Sequence, residues 1–165
     1  MSDLKQGGLA NSSGNTLEST IKATLVSKGF EIVSYRDYVK NPSSYGKELL
    51  LLGVPYTTIY GHKGKTEFLL KSEHYALEIR IECKWQQSFG SVDEKFPYLY
   101  LNCIEKMPED KIFIVMDGGG AKLGSIDWLK QSSLKKLYTT ELNKNKEILV
   151  MTLSEFLVWT NKTLR

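Results

Sequence analysis

Cysteine is nearly missing from this chain. Cys83 and Cys103 are the only two and neither belongs to a CxxC pair, which argues against a disulfide framework or a cysteine zinc site and fits reduced, intracellular thiols. Histidine is as scarce, and His62 and His74 do not stand at metal-ligand spacing, so both read as surface or loop residues. No apolar run approaches the roughly 20 residues of a membrane span, and the polar opening MSDLKQGGLANSSGN lacks the apolar core of a signal peptide. The expectation is a soluble cytoplasmic protein with no membrane partner. Neither sign of charge dominates: a net charge of +3 and a pI near 8.7 are compatible with a polyanion partner but far from a histone-like binder. The glycine run MDGGG, Met116 to Gly120, lacks the Gly-Lys-Ser or Gly-Lys-Thr ending of a phosphate loop. Its glycines either let backbone approach a polyanion or simply turn the chain.

What is present suits one compact domain: 165 residues, 41% of them hydrophobic, can bury a core without staples. Residues 1–14, rich in Gly, Ser and Asn, read as a flexible segment ahead of a single domain over residues 15–165. A helix is expected from Asn15, where NTLE offers an N-cap with Glu18 three residues on, to Lys28 before Gly29; Leu17, Ile21 and Leu25 form its buried stripe. FEIVSY reads as a strand, and RDYVKNPSSYGKELLLLG as an irregular connection whose Leu49 to Leu52 run suits strand or helix. YTTIY, TEFLLKS and YALEIRIECKWQ form an antiparallel meander, with GHKGK as a basic hairpin tip between the first two. Downstream, SVDEKFPYLYLNCIEKM reads as a crossover helix, KIFIVMD and EILVMT as buried strands, SIDWLKQSSLKKL as a surface helix, and LSEFLVWTNKTL as a closing helix capped by Thr152 or Ser154. Trp85, Trp128 and Trp159 sit in apolar patterns and belong to the core. The fold class is α/β, a mixed central sheet flanked by helices.

The stretch LEIRIECKWQQS, Leu77 to Ser88, puts charge into a strand. Alternation sends Leu77, Ile79, Ile81, Cys83 and Trp85 to one face and Glu78, Arg80, Glu82, Lys84 and Gln86 to the other. An exposed sheet face is the bland explanation, with Arg80 as ordinary sheet-face charge. Glu67, in the preceding strand, gives the pattern another meaning, because an antiparallel partner brings its carboxylate near Glu82. Two carboxylates repel unless something neutralises them, and a divalent cation held by oxygen ligands is the usual solution. A lysine two residues beyond the second carboxylate then reaches the water or phosphate that the metal polarises.

Glu67, a gap of 14 residues and Glu82-Cys83-Lys84 together resemble the PD-(D/E)XK nuclease superfamily, with Glu67 standing where the first Asp is commonest. The order of elements resembles it too, as do YGHKGKTEF before Glu67 and GSVDEKFPY after the strand, the latter like segments of small phage-borne and restriction-type members. The resemblance implies a restriction-endonuclease-like fold and a metal-dependent DNA endonuclease, of restriction type or the catalytic subunit of a larger enzyme. It implies Glu67, Glu82 and Lys84 as catalytic residues, and Mg²⁺, with Mn²⁺ as substitute, held by Glu67, Glu82 and the Cys83 carbonyl. Glu18 is either a capping residue or the additional helix-borne ligand that this family often supplies. Gln86 is either a polar second ligand or substrate contact, or plain solvated surface. Lys63, Lys65 and Lys95 are the candidates for DNA phosphates. A junction resolvase and a noncatalytic nucleic-acid-binding protein on the same fold are the alternatives. One short chain presents one active site, so cutting both strands calls for a homodimer, a higher homo-oligomer or a partner subunit.

Overall fold

A computed structural model describes residues 3–85 and 92–165, with the side chains of residues 3–14 and 92 left aside. Gln86 and the start of the GSVDEKFPY segment lie outside the described residues. Among the described residues five α-helices and six strands follow in the order α1 (Asp3–Ser27), β1 (Glu31–Ser34), α2 (Tyr35–Tyr38), β2 (Glu48–Thr57), β3 (Lys63–Ser72), β4 (Leu77–Trp85), α3 (Val92–Glu105), β5 (Lys111–Asp117), α4 (Leu123–Leu134), β6 (Glu147–Thr152) and α5 (Leu153–Thr163), with one 3₁₀ turn at Pro42–Ser44. The strands form a single sheet in sequence order. β1 pairs parallel with β2, β2 to β4 form the antiparallel meander, and β4, β5 and β6 run parallel. This is the mixed, helix-flanked sheet of a restriction-endonuclease-like α/β fold. No helix among the described residues is long and apolar enough to cross a membrane.

Three apolar clusters hold the layers. Leu17, Ile21 and Leu25 of α1 and Phe156 of α5 pack on Phe68, Leu70, Ile79, Ile81 and Phe113 of the sheet. On the opposite face Leu99, Tyr100 and Cys103 of α3 and Leu129 of α4 cover Ile112, Ile114 and Ile148. A smaller cluster of Val33, Leu49, Leu51, Val54 and Leu69 sits under Tyr35, Tyr38 and Tyr45. β5 is apolar from Ile112 to Met116 because helices cover both of its faces. The Leu49 to Leu52 run is strand, half of it facing each cluster. Trp159 lies edge-on to Phe113 at 4.8 Å, Trp128 edge-on to Tyr100 at 6.0 Å, and Trp85 packs against the α1-side cluster.

Local signals fix several ends. Thr152 and Glu155 form a full capping box at the start of α5, and α1 closes with Gly29 at φ +93°, its amide on Val26 O and that of Phe30 on Leu25 O, a Schellman arrangement that favours glycine. Two expectations are corrected. Helix α1 runs on both sides of Asn15, so Asn15 is not an N-cap and Glu18 does not complete a capping box. The hairpin tip is Thr58 to His62, bridged by the Thr58 amide on His62 O at 2.8 Å, while Lys63 and Lys65 already belong to β3 opposite Thr57 and Pro55.

Beyond Glu78, which is exposed, the polar face of β4 is largely buried. Arg80 is 1% exposed and its guanidinium makes a two-pronged pair with the buried Glu109 carboxylate, one prong at 3.0 Å. It also donates to Val54 O at 3.1 Å and Thr66 Oγ1 at 2.9 Å and lies over the Tyr56 ring. Arg80 is therefore not ordinary sheet-face charge. Removing one member of a buried pair strands the other, so Arg80→Met should cost about 3–5 kcal/mol, measured by urea unfolding; an unchanged midpoint would show the pair to be dispensable.

Candidate active site

The site lies where β3 parts from β4. Their register runs from Ser72 opposite Leu77 to Phe68 opposite Ile81, and the next amide along that edge, Cys83 N–H, donates at 2.8 Å to the Glu67 carboxylate. Glycine makes the parting possible. On β2, Leu50 and Leu52 face the α1-side cluster and Leu49 and Leu51 the other, yet Val54 joins Leu49 and Leu51, so strict alternation fails at Gly53. Gly53 has φ +66°, a conformation that a side chain disfavours. On β3, Phe68 and Leu70 face α1, whereas Thr66 bonds Arg80 on the far side. Glu67 thus sits between Leu52–Phe68 and Val54–Thr66, the pairs that bracket the change of face.

Glu82 and Lys84 come from the end of β4. Lys84 Nζ is 2.5 Å from Glu82 Oε1, with the lysine side chain 32% and the glutamate 7% exposed. Glu82 Oε2 is buried with no hydrogen-bond partner. Burial, together with the Glu82 charge, pushes Glu67 up to about 7, against the pull of the Cys83 amide and Lys84. Burial alone would depress Lys84, but Glu82 and Glu67 outweigh it and raise the ammonium above its ordinary value. The Tyr56 phenol is pushed up to about 12 by burial and by Glu82, so it stays a donor. The arrangement is two carboxylates, one ammonium and a backbone edge. In a strand the N–H and C=O of one residue point to the same side, so the Cys83 carbonyl faces the Glu67 side as its amide does.

A family model described as a PD-(D/E)XK nuclease superfamily domain matches residues 9–164. The chain belongs to that superfamily. No curated protein and no solved structure matches it. Glu67 and the Glu82-Cys83-Lys84 stretch lie together at one end of the meander.

The remaining expected residues fall around this centre. Glu18 and Lys65 line, with Lys22 and Glu67, a cavity of about 380 Å³ on the α1 side, and the Glu18 charge reaches Cys83. Among the described residues no three His, Cys, Asp or Glu side chains converge to hold a metal ion, so Glu18 shares this cavity with Glu67 without closing a metal site. Lys95 of α3 lines a second cavity with Glu82 and Lys84, while Lys63 is exposed near the hairpin tip. Residues not anticipated from sequence are Tyr56 and Asn102, which line that same cavity. The one signal for Tyr56 is its cross-strand partner Gly64, where a Cβ would fall 2.7 Å from the tyrosine ring. Asn102, fully buried on α3, carries no local signal.

A proton on Glu67 ties this geometry to pH. Between the ordinary carboxylate range and about pH 7, the folded protein keeps a proton that the unfolded chain has lost, so metal-free stability falls as pH rises through that window. Glu67→Gln, which can still accept from the Cys83 amide, should melt several degrees above wild type at pH 8 in EDTA, with the gap closing at pH 5. Equal melting temperatures at pH 8 would show that the ionised carboxylate is tolerated.

Proposed function

We propose that the protein is a metal-dependent DNA endonuclease that hydrolyses phosphodiester bonds at the Glu67, Glu82 and Lys84 centre. The observation that carries this is the unbalanced charge: Glu82 Oε2 is buried and unpartnered, Glu67 is pushed up by burial and by Glu82, and Lys84 answers only part of the negative charge. Such a donor set fits a hard divalent cation. Glu67, Glu82 and the Cys83 carbonyl would hold it, with Mg²⁺ the natural choice and Mn²⁺ a substitute. A bound cation supplies Lewis-acid polarisation of the phosphate and an acidified water.

The chain's own groups do the rest. Lys84, fixed by Glu82, presents its remaining ammonium protons to the attacking water or to a phosphoryl oxygen and stabilises charge that grows as the P–O bond breaks. Cys83 N–H and Glu67 hold each other in place. Lys63, Lys65 and Lys95 neutralise flanking phosphates. Residues 15–165 carry this activity, and one centre per chain makes a homodimer or a partner subunit the means of cutting both strands. Restriction-type and phage-borne roles depend on the target, and branched DNA beside supercoiled and linear DNA, with Mg²⁺ or EDTA, separates a resolvase, an endonuclease and a noncatalytic binder.

Lys84→Ala should lower kcat by about 10²–10³-fold, the scale of one lost transition-state donor. It also leaves Glu82 unpaired, so melting temperature should drop in EDTA and recover in Mn²⁺ while activity does not; cleavage at the wild-type rate would remove Lys84 from the chemistry. Glu18 is proposed to act from one layer further out, through charge and water. Glu18→Gln should then lower cleavage about tenfold at limiting Mg²⁺, as outer ligands do, and recover at high Mg²⁺. An unchanged Mg²⁺ titration would return Glu18 to plain helix surface.

A further inference from the structure

On the α3 side of the carboxylates a cavity of about 290 Å³ opens between the β2–β3 hairpin and α3. It shares Glu82 and Lys84 with the active site, but its walls are of another kind: Tyr56, Tyr98 and Leu99 make it largely apolar and aromatic. Asn102 also lines it. That side chain is fully buried, its Oδ1 accepts the Ile59 amide at 2.9 Å, and its Nδ2 has no partner. The Ile59 bond fixes which end of the amide is oxygen, so the end left unsatisfied is a donor. A buried donor without an acceptor is costly, and it implies a group that supplies one.

The walls are built to stay. Tyr56 lies over Gly64, where any Cβ would clash with its ring at 2.7 Å, and the Arg80 guanidinium is 5.7 Å from its centroid. Tyr98 stacks on Tyr60 of the hairpin tip at 5.0 Å. The rigid aromatic wall does not suit a phosphate, which would lose its solvation against it. It suits a flat heterocycle with an acceptor on its edge, and the lysines that share the lining, Lys84 and Lys95, suit the phosphates on either side of that ring.

We infer that this cavity is a subsite for one unpaired DNA base adjoining the scissile phosphate, stacked against Tyr98 and Tyr56 and bonded on its edge by Asn102 Nδ2. The inference rests on the nuclease reading and narrows its substrate: a paired base cannot enter, so the enzyme acts where a base is unpaired or readily extruded.

The test uses three duplexes of one sequence, fully paired, with a central mismatch, and with a central abasic site, bound in Ca²⁺ by fluorescence anisotropy and cleaved in Mg²⁺. Wild type should bind the mismatched duplex about tenfold more tightly than the paired one, the scale of one base–aromatic stack. The abasic duplex, equally deformable but lacking the ring, should lose that gain. Tyr98→Ala should bind all three alike, and a melting curve checks that it folds. Mismatched and abasic duplexes bound alike by wild type, as expected of a cavity that holds only water, would overturn the subsite, as would discrimination that survives in folded Tyr98→Ala. Cleavage without discrimination overturns the subsite alone, whereas discrimination in binding without cleavage of any duplex overturns the nuclease reading alone.

Discussion

Two carboxylates, Glu67 and Glu82, are pressed toward each other at the end of a sheet with one ammonium to share. Burial first, and then a repulsion that burial leaves poorly screened, is why Glu67 holds its proton up to about pH 7, and Glu82 has one buried oxygen without a hydrogen-bond partner. Such a site is a poor stabiliser of its own fold. In the proposed function that frustration is what would give it affinity for a hard cation, since the same charges that oppose folding would become ligands once neutralised. The rest of the molecule serves to hold that pair in place despite its cost.

The holding is done by a buried cation. Arg80 donates to Val54 O and Pro55 O on β2, to Thr66 Oγ1 on β3 and to Glu109 beyond α3. Those β2 and β3 contacts lie just past Gly53 and Glu67, where the two strands change face. A strand pair that turns over loses regular pairing to its neighbour, and Arg80 replaces that pairing with charge-assisted bonds. β4 can then run straight on to Glu82 and Lys84 while β3 turns away and leaves Glu67 facing the Cys83 amide. The splay that makes the candidate active site and the ion pair that repairs it are one structural feature.

Much of this was legible in the sequence, and the limits have physical reasons. The apolar run of β5, the capping of α5 at Thr152 and the meander carrying Glu67 and Glu82 depend on local chemistry, which periodicity reports directly; β6, expected buried like β5, is instead the sheet edge with Leu149 exposed, because its apolar run does not say how many neighbours it has. Asn15 shows the reverse: a cap pattern is local too, but whether it caps depends on the preceding turn, and here that turn is helical. Alternation along β4 placed Arg80 and Glu82 on one face correctly but could not say what covers that face. The partner that buries Arg80 is Glu109, 29 residues away, and no short-range pattern connects them. Lys63 and Lys65 fell in the strand for a similar reason, because hairpin register is set by the partner strand.

The ends of the elements show why the functional groups collect at a single edge. β4, β5 and β6 are parallel, so their C-terminal ends lie together, and the open crevice of an α/β sheet forms beyond such ends. The antiparallel meander brings the C-terminal end of β2 and the N-terminal end of β3 to the same edge. Glu18, Lys65 and Glu67 line the cavity on the α1 face of that edge, and Tyr56, Lys95 and Asn102 the one on the α3 face. Glu67 and Glu82 stand between them. In the proposed function, a strand of DNA whose phosphate rested on those carboxylates would meet basic groups on both faces of the sheet and the aromatic cavity on one. That asymmetry would give the strand a direction, which charge alone would not.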